Sequence, residues 1–345
     1  MKKLSLFICF IAVLTFFSCS RGGQNYVYPV CNSPDSEAET ECEDEDILQD
    51  GYPASVSLYR FTDYFDSENK CVGWYAIVDL NGDGCPVFST MHVVPAKTPE
   101  GVFKELSVAG RNPYIVTNAG YFYDGSSMSL CIHDGELEAI AAQYAYLADG
   151  GIAYPVRAAF GMFNDGSFDT AWVYCPDDGA RMPYSYPSPL DNDESTGSFM
   201  PDMPSSNADG AVLWMPEEAI GGGPMLVEEG RNVADVYYYR EILDRGGTAG
   251  MTRQPRTAIA ATNDGRVIIL VCDGRGMNGS QGYTLAELAD KLVSLGAEMA
   301  VNLDGGGSSA IVGKDGKVLN RPSDTGESNS VKMRQVPTVL VISEQ

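Results

Sequence analysis

TLAELADKLVSLGAEMAVNLDGGGSS (284–309) carries a helix signal, a strand signal and a loop almost without side chains, in that order. Thr284 with Glu287 three residues on spells a capping box. Leu285, Leu288, Ala289, Leu292, Val293 and Leu295 then share one face at helical spacing, and Gly296 stands where a left-handed C-cap is expected. The apolar run 300–303 predicts a strand ending at Asp304. One carboxylate is thereby delivered to Gly305-Gly306-Gly307 at the C-terminal end of a strand. Three glycines in a row are entropically costly, so a chain carries them where its backbone must turn unusually or be approached closely. A tight turn between two buried strands fits the pattern as well as a binding loop does.

Outward from this unit, short β-like runs alternate with Asp-Gly turn chemistry. The runs 74–79 and 86–94 flank Asn81-Gly82-Asp83-Gly84. The runs 159–163 and 167–174 flank Asn164-Asp165-Gly166. The runs 257–262 and 267–272 flank Asn263-Asp264-Gly265, and 310–312 and 318–319 flank Asp315-Gly316. Asp-Gly between β-branched runs predicts hairpins, because both residues accept positive φ. A second, weaker helix is expected over 99–109. The sum is an α+β fold: a sheet-dominated, mixed or antiparallel β core with few helices.

The first residues, Met1-Lys2-Lys3 and the apolar run 4–17, lead to Ser18-Cys19. A positive start, a short apolar region and a small residue before cysteine read as a lipoprotein-type signal over 1–18, with lipidation at Cys19. An extracytoplasmic, membrane-anchored protein of the cell envelope (periplasm or outer membrane) is therefore expected. Nine acidic and no basic residues between Asp35 and Asp50 make 19–50 an acidic, flexible tether. Residues 51–345 have the length of a single domain, with a Pro/Ser/Asp-rich insertion near 182–206. The net charge of −24 disfavours nucleic acid as a partner. An anionic substrate would need a local cluster of arginines. Of nine cysteines, Cys9 and Cys19 belong to the leader region. The odd remainder leaves at least one thiol unpaired, and no pairing is assigned.

Two histidines, His92 and His133, are too few for a His-rich metal centre, and no G-x-S-x-G elbow is present. Asp79-x-Asn81-x-Asp83-Gly84 matches half a calcium loop and lacks the closing acid, Thr90 standing in its place. A hairpin turn is the simpler reading; calcium is the sole cofactor the pattern admits, and otherwise none is expected. What remains is carboxylates, arginines and glycine loops. Asn118 and Gly120 close a strand, and Arg256 opens one. Asp273-Gly274-Arg275 ends the next, which the Asp264-Gly265 turn brings back beside Arg256.

NAGYF (118–122), GGGPMLV (221–227), RTAIA (256–260), VCDGR (271–275), the 283–297 helix and NLDGGGSSA (302–310), in this order, resemble the phosphodiester glycosidases over roughly residues 70–345. The resemblance implies a hydrolase acting on the glycosidic bond of a sugar-1-phosphodiester with an N-acetylglucosamine-like sugar. It implies Asp304 and Asp273 as the carboxylate pair and Arg256 as an oxyanion ligand. Asn118, Gly120, Arg275, Asn302, Gly305, Gly306, Ser308 and Arg321 would contact substrate, with main-chain N–H groups of Gly305–Gly307 forming an anion nest. Ser323 stands where this pattern has valine, which bears on the substrate. The competing readings are a non-catalytic glycan-binding lipoprotein, stacking sugars on Tyr121, Phe122, Trp214 or Tyr237–Tyr239, and a metal-dependent phosphodiesterase.

Overall fold

The computed structural model describes residues 42–46, 51–147, 149–178, 181–243 and 247–345, the first of these as backbone only. The expected signal and the lipidation site at Cys19 lie outside the described residues.

Three larger antiparallel sheets and two two-stranded ribbons organise the described residues. The largest has eight strands in the order Cys42–Asp46, Val56–Tyr64, Lys70–Asp79, Arg266–Cys272, Arg256–Thr262, Ala297–Asn302, Met225–Glu228 and Arg231–Asn232. A seven-stranded sheet is centred on Phe168–Tyr174, Arg157–Met162 and Glu218–Gly221. A four-stranded sheet runs Ile311–Val312, Pro113–Asn118, Val336–Ser343 and Val87–Lys97. The inner faces meet in one apolar core that includes Trp74, Phe88, Ile115, Phe160, Ile220, Ile259, Val301 and Leu340. The expected α+β class, dominated by antiparallel sheet with few short helices, is the observed one.

The helix Leu285–Ser294 forms as its sequence dictates: the Thr284 hydroxyl accepts from the Glu287 N–H, and the Glu287 carboxylate accepts from the Thr284 N–H. Leu285, Leu288, Ala289 and Leu292 are buried against the outer face of the eight-stranded sheet. The helix Pro99–Val108 likewise seals the four-stranded sheet with Val102 and Leu106. The 159–174 and 257–272 hairpins form as expected.

The hairpin expected across 74–94 does not form. Lys70–Asp79 pairs with Val56–Tyr64 and Arg266–Cys272, whereas Val87–Lys97 pairs with Val336–Ser343 in another sheet. The Asn81–Gly84 turn is a corner between sheets, and the Asp79 carboxylate accepts the Asn81 N–H instead of awaiting calcium. Part of the expected tether, Cys42–Asp46, is an edge strand beside Tyr59–Asp63. Main-chain hydrogen bonds to an open sheet edge order it where apolar burial alone would not. Within the Pro-rich insertion, Tyr184–Tyr186 joins the seven-stranded sheet.

Removing the helix cap by Thr284→Ala should cost about 1 kcal/mol and lower the melting temperature by roughly 2–4 °C in a thermal scan.

Candidate active site

The Ala297–Asn302 strand ends where all three sheets approach, and Asp304 is fixed there through its main chain. Its N–H donates to Ala119 O at 2.9 Å, and its carbonyl accepts from Asn118 Nδ2 at 2.7 Å. Asn118 Oδ1 in turn accepts from the Thr257 hydroxyl and the Ala310 N–H. Asn118 is fully buried and does not border the cleft. Asn118, expected to hold a substrate hydroxyl, commits its amide to a bracket that positions Asp304.

The glycines are there for close approach. A Cβ on Gly305 would lie 2.7 Å from Pro255 O, and one on Gly307 would overlap Asp324 Oδ1. Gly306 has φ +63°. Of the N–H groups expected to form an anion nest, that of Gly306 donates to Pro255 O and that of Gly305 stabilises the Asp304 carboxylate. Gly120 also serves packing: a Cβ there would lie 2.5 Å from Ser129 Cβ.

Above this loop opens a cleft of about 1330 Å³, lined by Asp304, Asn302, Gly305–Gly307, Tyr121, Gln254 and four arginines, Arg157, Arg256, Arg275 and Arg334. Its outer wall is aromatic: Phe122, Tyr123, Tyr144 and Tyr146. Burial pushes the Asp304 carboxyl up to about 6, against the pull of Ser308, Arg334 and the Gly305 N–H. Asn302 donates from Nδ2 to the Tyr121 hydroxyl, Gly223 O and Leu303 O, and the Tyr121 hydroxyl donates to Gly223 O. All three Nδ2 contacts are to oxygens, which fixes the amide orientation and turns Asn302 Oδ1 away from them. That oxygen is buried with no hydrogen-bond partner among the described residues. Ser308 Oγ is buried behind Asp304, close enough to influence its titration, yet without a well-aligned partner.

The arginines differ in how they are held. Arg275, with φ +56°, donates from Nε to Gln254 Oε1 at 2.9 Å and from Nη1 to Ser323 Oγ at 3.4 Å. Its guanidinium lies against Gly306. Arg334 pairs through two bonds, 2.6 and 3.1 Å, with Asp324 and acts electrostatically on Asp304. Arg256 is buried, and its guanidinium donates to the carbonyls of Tyr283, Ala249, Gly250 and Thr252. These bonds anchor the 249–252 turn at the cleft margin, where Arg256 also lines the cleft. Arg157 donates to the carbonyls of Glu241 and Ile242.

Asp273 and Arg321, expected at the site, are held by their own loops. The Asp273 carboxylate accepts from Asn278 Nδ2, Asn320 Nδ2 and the Arg321 N–H at 2.7, 3.0 and 2.8 Å, and does not border the cleft. Arg321 spends its Nη2 on the carbonyls of Gly326 and Ser328. Both are loop anchors. Trp214 is buried and bonded to Asp169, away from the cleft. Sequence reasoning missed Arg157, Arg334, Gln254 and the 140–146 wall, which arrive from separate segments without a motif. Among the described residues His133, Asp134 and Glu218 lie close enough to share an ion. Glu218 is already engaged, however, by His133 Nδ1 and by the N–H and hydroxyl of Thr90.

Asp304 and Asp273 both sit near 6, and stability separates them. A carboxyl raised by folding contributes most below its unfolded pKa and loses that contribution as pH rises through about 6. Asp304→Asn should therefore be more stable than the parent at pH 7.5, by on the order of 2 kcal/mol, and lose the advantage near pH 4. Asp273→Ala leaves the buried Asn320 amide and two less buried donors, Asn278 Nδ2 and the Arg321 N–H, without their acceptor. It should cost about 1–3 kcal/mol near pH 4 and less at pH 7.5, where burial disfavours its own ionised carboxylate. Chemical denaturation at both pH values reads both effects.

Known proteins with similar sequence and shape bear on this geometry. A family model described as phosphodiester glycosidase matches residues 111–343, and the chain belongs to that family. The human and bovine N-acetylglucosamine-1-phosphodiester alpha-N-acetylglucosaminidases are 36% and 34% identical to it over 90 residues, 26% of this chain. The chain matches only 17% of the human protein's length. The zebrafish catalytic domain of that enzyme, auto-inhibited by its pro-peptide, superposes with a TM-score of 0.55 at 20% identity, covering 88% of each chain. A hypothetical protein from Synechocystis gives 0.57 at 16% identity, over 84% of this chain and 62% of its own. These two likenesses concern the fold.

Proposed function

We propose that this phosphodiester glycosidase family member hydrolyses the glycosidic bond of a sugar-1-phosphodiester, with an N-acetylglucosamine-like sugar. One observation carries the reading. A buried carboxylate, Asp304, lies on the floor of a cleft ringed by four arginines, in a chain of net charge −24. A cationic ring in an acidic protein selects a substrate with its own negative charge next to the bond the carboxylate addresses.

In this scheme Arg275 and Arg334 hold the phosphate through charge-assisted hydrogen bonds. The ionised Asp304 faces the anomeric carbon and stabilises the oxocarbenium-like transition state. Asn302 Oδ1 accepts a sugar O–H or N–H. The C–O bond breaks toward phosphate, whose charge the arginines balance, and water supplies the new hydroxyl. Phosphate is a good enough leaving group that a strong acid opposite Asp304 is not required. This fits Asp273 lying outside the cleft. The leader motif supports export and anchoring through Cys19, so the substrate would belong to an extracytoplasmic glycan or glycoconjugate. The aromatic wall favours the alternative of a glycan-binding protein without turnover.

Incubation of the purified chain with an N-acetylglucosamine-α-1-phosphodiester decides between them. Sugar release should persist in chelator and fall about 10³-fold or more in Asp304→Asn. Arg334→Ala should raise KM about tenfold to a hundredfold. Because Asp304 must be ionised, activity should fall as pH drops through about 6. Tight glycan binding with no release, unchanged in Asp304→Asn, would establish the binding protein instead.

A further inference from the structure

Cys71 and Cys272 lie on neighbouring strands of the eight-stranded sheet. Cys272 stands directly across from Gly73. Residues 71 and 73 project to the same face, so Cys71 is the diagonal neighbour of Cys272 on that face. Gly73 carries no side chain of its own, and the Phe61 ring packs over it, where a Cβ would clash with that ring and Val271 O. Both sulfurs are fully buried in one apolar cluster with Phe61, Leu288 and Tyr283. Both are free thiols in the structure, and burial, with Cys272 close by, drives the Cys71 thiol far up. The other described cysteines have no such arrangement: Cys131 lies beside Thr90, Cys175 is buried elsewhere and Cys85 is exposed.

We propose that Cys71 and Cys272 are joined by a disulfide in the exported protein. The co-reactant is a protein or small-molecule disulfide. The Cys71–Cys272 S–S bond forms as the oxidant's S–S bond breaks. The two cysteines give up two electrons and two protons, and the oxidant leaves as two thiols. The exchange takes place while the strands assemble, before the cluster closes over the sulfurs. The bridge would cross-link segments about 200 residues apart in sequence. Its location matters for the cleft. Arg256 pairs with Cys272 in the sheet, and Asp273 follows it. The Cys272 thiol points to Gln254 O, and Gln254 holds Arg275. The inference rests on export to an oxidising compartment and is independent of the glycosidase reading.

The full chain, recovered from an oxidising compartment, should be denatured, alkylated without reductant, digested and mapped by mass spectrometry. A peptide pair linked through Cys71 and Cys272 is expected, together with a melting temperature that reductant lowers by about 5–15 °C. Combined Cys71→Ala and Cys272→Ala substitution should remove that sensitivity to reductant. Recovery of both cysteines in alkylated form, or of either one linked to a different cysteine, overturns the proposal. The mapping uses the unsubstituted chain, so it decides even if the variant does not fold.

Discussion

The two hydrogen bonds that clamp the Asp304 main chain to Asn118 and Ala119 are the constraint on which the rest depends. They tie the end of a strand in the eight-stranded sheet to the end of a strand in the four-stranded sheet. Asn118 satisfies this junction with every polar atom of its amide, accepting from Thr257 and Ala310 and donating to Asp304 O. A buried amide with all its partners is rigid in a low-dielectric interior. The carboxylate beyond it is therefore set in position by two sheets at once, with burial outweighing the pull of Ser308 and the Gly305 N–H.

The contrast between Asp304 and Asp273 shows what that arrangement achieves. Burial raises both to about 6. Asp273 accepts three donors from its own loops, which fills its capacity and makes it a knot. Asp304 opens on the cleft beside the orphaned Asn302 Oδ1. Two carboxylates with the same titration behaviour thus have different uses, and hydrogen-bond accounting separates them where pKa does not.

Much of this was legible in the sequence, and the illegible parts share a cause. The helix–strand–loop unit of 284–309 could be read because capping, periodicity and glycine placement are local. The turn at Asn81–Gly84 specified a change of direction but not a partner, so the strands it joins went to different sheets. Hairpin geometry did bring the Arg256 and Asp273 segments together. Side chains alternate along a strand, however, and Arg256 lies opposite Cys272, one residue short of Asp273. The two consequently face opposite sides: Arg256 toward the helix at Tyr283 O, Asp273 toward Asn320 and Arg321. Arg157 and Arg334 had no local signal, because their place depends on how whole sheets pack.

How a cationic cleft survives in so acidic a chain follows from the partners its arginines take. Arg157 and Arg256 donate to main-chain carbonyls, and Arg275 to an amide and a hydroxyl. Neutral acceptors hold a guanidinium in position without cancelling its charge. Arg334 is paired with Asp324 and acts on Asp304. An acidic exterior repels anions at long range, but salt screens that field beyond about 8 Å at physiological ionic strength. Within the cleft the fixed positive charges act over shorter distances and in a lower dielectric. Selection of an anionic ligand is then a property of the cleft, set by main-chain carbonyls that neither titrate nor compete for it.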